Sequence, residues 1–122
     1  MTCWIGIDPG VKGAIAFLWD NGRTLVFDTP TVEVKKTRRD YTIGHMRLLL
    51  EGPKGDGLTT HVAIERSIPM PQQASNTTWL AGRGQGLWEG LVAGLGYPYE
   101  LVTPQQWRKA MGLVAGQEKG AS

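Results

Sequence analysis

Two acidic residues stand where short apolar segments end, and they give the first indication of chemistry in this sequence. Asp8 closes the run 3–8, and Glu65 closes the run 61–65. Carboxylates are rarely found in such segments unless they are paired or bind a metal. If the two segments are neighbouring strands, both acids converge at one sheet edge, where they could hold Mg²⁺ for phosphodiester cleavage. The alternative is that both are strand-end residues exposed to water, and spacing alone leaves both interpretations open.

A cluster of basic residues is the second candidate for function. Lys35, Lys36, Arg38 and Arg39 lie close together in a polar stretch. Cations that contact phosphates give nucleic-acid affinity without sequence preference. A solvated loop would have the same composition, so this alternative also stays open.

The histidines are predicted to be structural or surface residues, and most of the cysteine and tryptophan side chains are predicted to be structural. His45 and His61 are a poor metal pair, because one falls on a predicted helix and the other at a strand start. Cys3 is expected to be a buried thiol. Trp4 could face either side, and a place in the core is predicted for Trp19, Trp79, Trp88 and Trp107.

The apolar pattern of the first half predicts the elements that position the first acid. Runs 3–8, 13–19 and 24–28 open the chain, and Asp20-Asn21-Gly22 separates the last two. Asn-Gly between two such runs is a strong indication of a hairpin. We therefore predict an antiparallel three-stranded meander.

The middle of the chain predicts a helix and a buried strand. Residues 31–39 predict an exposed edge or loop, and residues 42–51 have helical spacing. The Gly- and Pro-rich segment 52–57 is expected to end that helix. Strand 61–65 follows, and then a polar loop over 67–76.

A glycine-rich helix is predicted over residues 77–95. Its glycines recur every four residues, so they share one helix face: Gly82, Gly86, Gly90 and Gly94. Each costs about 1 kcal/mol relative to alanine in a helix interior, which predicts close packing against another backbone. Helix-to-sheet packing is the favoured interpretation, and a helix pair across a dimer is the alternative.

The last predicted elements are a strand over 99–102 and a helix that begins at Thr103 and ends near Gly112. Thr103 and Gln106 form a predicted capping box, and residues 117–122 resemble the start of another helix. A meander followed by strand–helix alternation predicts a single α/β domain over 1–122 with a mixed five-stranded sheet flanked by helices. This arrangement resembles the ribonuclease H-like fold without its last helix.

Four segments, in order, resemble the motifs of RuvC-type Holliday junction resolvases. Residues 5–10 (IGIDPG) with 13–16 (GAIA) resemble the first motif, and 62–65 (VAIE) the second. Residues 74–86 resemble the helix that follows, and 102–119 resemble the Pro-anchored helix with its downstream lysine. The loop sequences are similar in character to those of phage-type members of the family.

The resemblance implies metal-dependent hydrolysis of phosphodiester bonds at four-way DNA junctions, in recombination and repair, by a homodimer. Asp8 and Glu65 would bind Mg²⁺, for which Mn²⁺ would substitute, and Lys119 would complete the catalytic set. Arg108 would contact the phosphate near the cleaved bond, although a solvated helix residue is the alternative. The residues after Glu65 lie where the family contacts the junction, namely Arg66, Ile68, Met70 and Gln72. The apolar tips Ile68 and Met70 could wedge into an opened junction centre, or belong to a Pro-rigid surface loop.

The chain differs from the family in the number and position of its acidic residues. The family has one or two further acids on a later helix, whereas Glu89, Glu100 and Glu118 are the only ones after Glu65 here. The chain is therefore expected to be truncated, or a shortened relative, and to cleave poorly. The alternative function is a DNA-junction-binding module without catalysis. A nucleotide-binding fragment of the actin and sugar-kinase superfamily is disfavoured, because 122 residues cannot supply its two domains.

Composition excludes several other classes of protein. With 41% hydrophobic and 20% charged residues, the chain is neither a disordered tail nor a fibre. The net charge of +2 is too small to indicate a nucleic-acid partner by itself. No segment predicts a membrane span or a signal peptide, and one cysteine fits a reducing compartment. We expect a cytoplasmic protein, in a bacterium or a phage-infected host.

Overall fold

The computed structural model describes residues 1–67, 75–103, 105 and 106. Two helices lie among these residues, α1 (Ile43–Gly55) and α2 (Ser75–Gly94). The strands are β1 (Thr2–Asp8), β2 (Ala14–Trp19), β3 (Thr24–Asp28), β4 (Thr31–Lys35), β5 (Arg38–Tyr41), β6 (Thr59–Glu65) and β7 (Tyr99–Val102).

A five-stranded mixed sheet forms the centre of the fold, with strand order β3-β2-β1-β6-β7. The first three strands form the predicted antiparallel meander, and β6 and β7 add in parallel beside β1. The mixed sheet and its flanking helices confirm the predicted fold class.

The core lies on one face of this sheet. Along β1, Cys3, Ile5 and Ile7 are buried and alternate with more exposed residues, because successive side chains of a strand point to opposite faces. Both helices supply buried residues to the same core, including Met46 from α1 and Trp88 from α2. Because the core covers one face of β1 and β6, their remaining side chains point to the opposite face of the sheet.

Helix α1 is longer than predicted, since it continues through Pro53 to Gly55. Proline cannot donate the backbone hydrogen bond of an ordinary helical turn. A distant side chain supports the turn instead: the Tyr97 hydroxyl accepts from the Lys54 amide at 3.1 Å and donates to the Leu50 carbonyl at 2.5 Å. Pro53 is itself buried, so the expected break is overridden by a tertiary contact.

Residues 31–39 are exposed, as expected, but they belong to a separate antiparallel hairpin formed by β4 and β5. Two contacts attach the end of this hairpin to α2. The Tyr41 hydroxyl donates to the Leu80 carbonyl at 2.7 Å, and Arg83 pairs with Asp40. These partners are about forty residues apart in sequence, which is why local pattern did not indicate the hairpin's place.

The four-residue glycine stripe of α2 does not pack against the sheet, although the sequence favoured that arrangement. A Cβ atom built at Gly82, Gly86, Gly90 or Gly94 would meet nothing within 4 Å in the described part of the chain. The buried residues of α2 are Gly84, Trp88 and Val92. They stand two positions from the stripe, which is about 200° around the helix. The predicted packing of the glycine stripe against the sheet is therefore wrong, and none of the described residues covers this face of α2.

The predicted capping box is present after β7. The Thr103 amide donates to the Gln106 side chain at 2.8 Å, and the Gln106 amide donates to the Thr103 hydroxyl at 3.1 Å. The rest of that predicted helix, and the one predicted over 117–122, lie outside the described residues. Within the described ranges, no helix has the length and apolar character needed to cross a bilayer.

Candidate active site and DNA groove

The structure brings the two predicted carboxylates together. β1 and β6 are parallel neighbours with Ile7 opposite Ile64, and Asp8 and Glu65 each follow by one residue. Adjacent strands lie about 4.8 Å apart. Since Ile7 and Ile64 face the core, both carboxylates fall on the opposite face. Asp8 is exposed and Glu65 is half-buried, so water and a ligand can reach this edge of the sheet.

A tight turn holds Asp8 at the edge. The Gly13 amide donates to the Gly10 carbonyl at 3.1 Å. Gly10 has a backbone φ of 125°, a value that residues other than glycine rarely adopt. A Cβ atom at Gly13 would overlap the Asp8 carbonyl oxygen. The glycines after Asp8 therefore let the chain turn back directly beside it.

The donor set suits a hard divalent cation. Mg²⁺ is commonly held by one or two carboxylates, with water and substrate phosphates as the other ligands. Asp8 and Glu65 offer two such groups on one face. Over the ranges 1–67, 75–103, 105 and 106, no group of three or more His, Cys, Asp or Glu side chains could hold a metal. Among the described residues, Asp8 and Glu65 are therefore two carboxylates of the kind that hard cations bind, without a third such side chain beside them.

A basic groove adjoins this edge. It has a volume of about 920 Å³ and runs between the β4–β5 hairpin and the start of α2. Five cations and one carboxylate line it: Lys12, Lys35, Lys36, Arg38, Arg39 and Glu33. Arg39 is held in place, since its guanidinium donates to the Thr31 hydroxyl at 2.8 Å and the Thr31 carbonyl at 3.1 Å. The groove is therefore a positively charged surface, and it shares Lys12 with the neighbouring cavity that contains Asp8.

The wall of the groove is fixed by the contacts between the hairpin and α2. Arg83 donates to both oxygens of Asp40, at 3.1 and 3.3 Å, and this hydrogen bonding lowers the pKa of Asp40. Burial raises the pKa of Tyr41, so its hydroxyl stays protonated as a donor to Leu80. A Cβ atom at Gly84 would lie 2.7 Å from the Tyr41 ring carbon that bears the hydroxyl. Glycine at this position lets the hairpin dock.

The other predicted site residues divide into two groups. The basic residues of the hairpin are exposed and line the groove. Arg66 is exposed just beyond Glu65, and its amide donates to the Val102 carbonyl at 2.6 Å. Five predicted residues lie outside the described ranges: Ile68, Met70, Gln72, Arg108 and Lys119.

The described residues that were predicted to be structural or at the surface behave largely as expected, and Trp107 lies outside the described residues. Cys3 is fully buried, and burial raises the pKa of its thiol. His45 and His61 are exposed and lie on α1 and β6. Trp88 is buried in the core, and the partly buried Trp19 packs against the core cluster.

Of the groove residues that were not predicted as site residues, Lys12 and Trp79 matter most for binding an anion or an aromatic ligand. Trp79 is exposed, which contradicts its predicted place in the core, and it lines the groove with Lys12. The helical spacing of apolar residues over 77–95 had suggested that Trp79 lies on the buried face of that helix. The polar residues that precede Trp79, from Ser75 to Thr78, were the available indication that this end of the helix is exposed.

No protein-family model and no curated protein matches this sequence. Solved structures do resemble the fold. RuvC of Thermus thermophilus in complex with a Holliday junction substrate superposes with a TM-score of 0.60 at 20% identity, over 90% of this chain and 69% of that chain. A second Thermus thermophilus RuvC structure gives a TM-score of 0.50 at 16% identity, over 84% and 64%. The chain therefore has the ribonuclease H-like fold seen in these RuvC structures.

Proposed function

We propose that this protein is a metal-dependent endonuclease that cleaves phosphodiester bonds at four-way DNA junctions, in recombination and repair. The observation that carries the proposal is the placement of Asp8 and Glu65 on one face of adjacent parallel strands, with the cavity at Asp8 next to the basic groove. The similarity to RuvC bound to a Holliday junction supports the choice of substrate.

In this mechanism Asp8 and Glu65 hold the cation, Mg²⁺ or Mn²⁺. When bound between these carboxylates and the substrate, the ion would supply positive charge that stabilises the transition state of phosphodiester cleavage. The hairpin cations hold the neighbouring phosphates and set the position of the strand. Arg108 and Lys119 belong to the proposal through the family resemblance, as contacts to the phosphate at the cleaved bond, where positive charge offsets developing negative charge. The junction contacts proposed after Glu65 are Arg66, Ile68, Met70 and Gln72.

The assembly and location are also proposed. A homodimer would make symmetric nicks in two strands of a junction, and the proposed location is the cytoplasm of a bacterium or of a phage-infected cell. The exposed glycine face of α2 is compatible with pairing to a second copy. Sedimentation of the natural gene product would test this assembly, and a monomer at the concentrations that cleave junctions would reject it.

The test of the activity is junction cleavage by the natural gene product in Mg²⁺. We expect Asp8→Asn to reduce nicking about 100-fold or more, because the loss of a metal ligand removes several kcal/mol of transition-state stabilisation. The matched control is Asp56→Asn, the same change at an exposed residue next to the end of α1. Junction nicking that survives in Asp8→Asn at the control's level would refute the assigned role.

A junction-binding module without catalysis is the second candidate. The observation that favours it is the pair of carboxylates without a third metal-binding side chain among the described residues. Junction binding that neither Asp8→Asn nor metal removal alters, together with no cleavage in Mg²⁺ or Mn²⁺, would establish this candidate over the endonuclease.

A further inference from the structure

Trp79 presents an aromatic ring to the basic groove. It lies in the first turns of α2, and 55% of its surface is exposed. Large aromatic side chains usually lose most of their exposure in a folded domain. The ring shares the groove with the cations of the β4–β5 hairpin, so it is an apolar surface surrounded by positive charge.

The ring is held in place before any ligand arrives. The Arg83 guanidinium carbon lies 5.6 Å from the centre of the Trp79 ring. Arg83 is itself fixed by its two hydrogen bonds to Asp40, at 3.1 and 3.3 Å. This series of contacts from β5 through Arg83 orients the indole, and a preoriented side chain loses less conformational freedom on binding.

The combination points to a ligand that is both planar and anionic. A groove with five cations and one carboxylate attracts phosphates, and an exposed indole stacks on any nucleobase face. Base pairs inside a duplex bury their faces against each other, so away from the ends of a duplex a base has to be unpaired to stack on a side chain. We propose that Trp79 stacks on an unpaired nucleobase of the DNA strand whose phosphates lie in the groove.

The groove also connects the stacked base to the carboxylates. Val11, Lys12 and Leu80 line both the groove and a cavity of about 440 Å³ that contains Asp8. A strand held on Trp79 therefore continues toward the Asp8 edge of the sheet. The inference rests on the proposed function for the origin of the unpaired base, which arises where paired arms meet at a junction.

Three variants of the natural gene product separate stacking from charge. Trp79→Leu keeps an apolar side chain but removes the π surface, and Trp79→Phe keeps a smaller ring. Trp4→Leu is the matched control, because Trp4 is 44% exposed on β1 and does not line the groove. Binding is measured by fluorescence anisotropy, without divalent metal, to an oligothymidine and to a blunt duplex of the same length.

We expect Trp79→Leu to weaken binding to the oligothymidine about 5- to 150-fold and to leave duplex binding unchanged. Trp79→Phe should recover most of the loss, and Trp4→Leu should match the wild type. A junction with 2-aminopurine at its centre should show fluorescence quenching with the wild type and Trp79→Phe, but not with Trp79→Leu.

Two results would overturn the stacking assignment. One is an equal loss on single strand and duplex, which would make Trp79 a general part of the DNA surface. The other is unchanged binding of the single strand by Trp79→Leu. Failure of the wild type to nick junctions is a separate result, because it rejects the endonuclease while the single-strand measurements still report on Trp79.

Discussion

At the scale of single residues, Tyr97 has the clearest structural role. Its hydroxyl joins the Leu50 carbonyl to the Lys54 amide, two groups that would otherwise bond directly in a regular helix. The side chain is buried, so no water can easily replace it. Removal of this hydroxyl leaves polar backbone groups unsatisfied inside the protein.

We predict that Tyr97→Phe lowers the free energy of unfolding by about 2 kcal/mol, because buried unsatisfied backbone groups cost about 1–3 kcal/mol. Urea unfolding followed by circular dichroism measures this. Tyr99→Phe is the matched control on the neighbouring strand β7, where the side chain is exposed and a near-zero effect is expected. Equal losses in the two variants would show that the Tyr97 hydroxyl does not support α1.

Burial also makes this tyrosine sensitive to alkaline pH. Desolvation raises the pKa of Tyr97, and it raises the pKa of Tyr41 in the same way. Above the unfolded tyrosine pKa of about 10 the unfolded chain loses protons that the folded chain retains, so folding stability falls as pH rises. We predict that the wild type loses stability above about pH 10 and that Tyr97→Phe loses it less steeply. Urea titrations at several pH values test this, and parallel profiles for the two proteins would contradict it.

At the scale of elements, helix α2 has two unlike glycine faces. Gly84 lies under the Tyr41 ring, where a Cβ atom would be 2.7 Å from a ring carbon. Gly86 is one of the four stripe glycines with open space around them. The same residue type therefore serves hairpin docking on one face and has no packing role within the described chain on the other.

We predict opposite effects of alanine at these two positions. Gly86→Ala should raise the free energy of unfolding by about 1 kcal/mol, since alanine is the better helix former and meets no neighbour. Gly84→Ala should lower it, because Tyr41 has to move from its contact with α2. Thermal unfolding at low protein concentration measures both. A loss of stability in Gly86→Ala that grows with protein concentration would instead identify the stripe as a helix–helix interface.

At the scale of the whole molecule, positive charge is gathered on one surface, which the small net charge of +2 does not reveal. The hairpin and the Asp8 turn bring five cations to one groove with one carboxylate, while Asp40 is paired with Arg83. Local concentration of charge, and not net charge, sets the attraction for a phosphate backbone.

We predict that the double variant Lys35→Gln/Lys36→Gln weakens junction binding and lowers the slope of log affinity against log salt by about 0.9 for each lost phosphate contact. Arg47→Gln on α1 is the control, because this exposed cation does not line the groove. Anisotropy titrations over a range of salt concentrations give the slope. A slope that the lysine variant leaves unchanged would place the phosphates elsewhere.

Local pattern predicted the elements whose signals are local. The period-two burial of β1, the Asn-Gly turn before β3 and the reciprocal bonds of Thr103 and Gln106 all depend on residues close in sequence. The pairing of Asp8 and Glu65 was predicted conditionally, since it required β1 and β6 to be neighbours, and the sheet order supplied that condition.

The sequence by itself determined the residue types available for chemistry, the alternation that gives each strand an inner and an outer face, and the glycines that let the chain turn beside Asp8. Only the tertiary structure decided that α1 continues through Pro53, that Trp79 is exposed, and that the hairpin forms a groove with α2. The physical reason is the same in each case. These outcomes depend on contacts such as Tyr97 with Leu50 and Arg83 with Asp40, whose partners are more than forty residues apart, where local propensity carries no information.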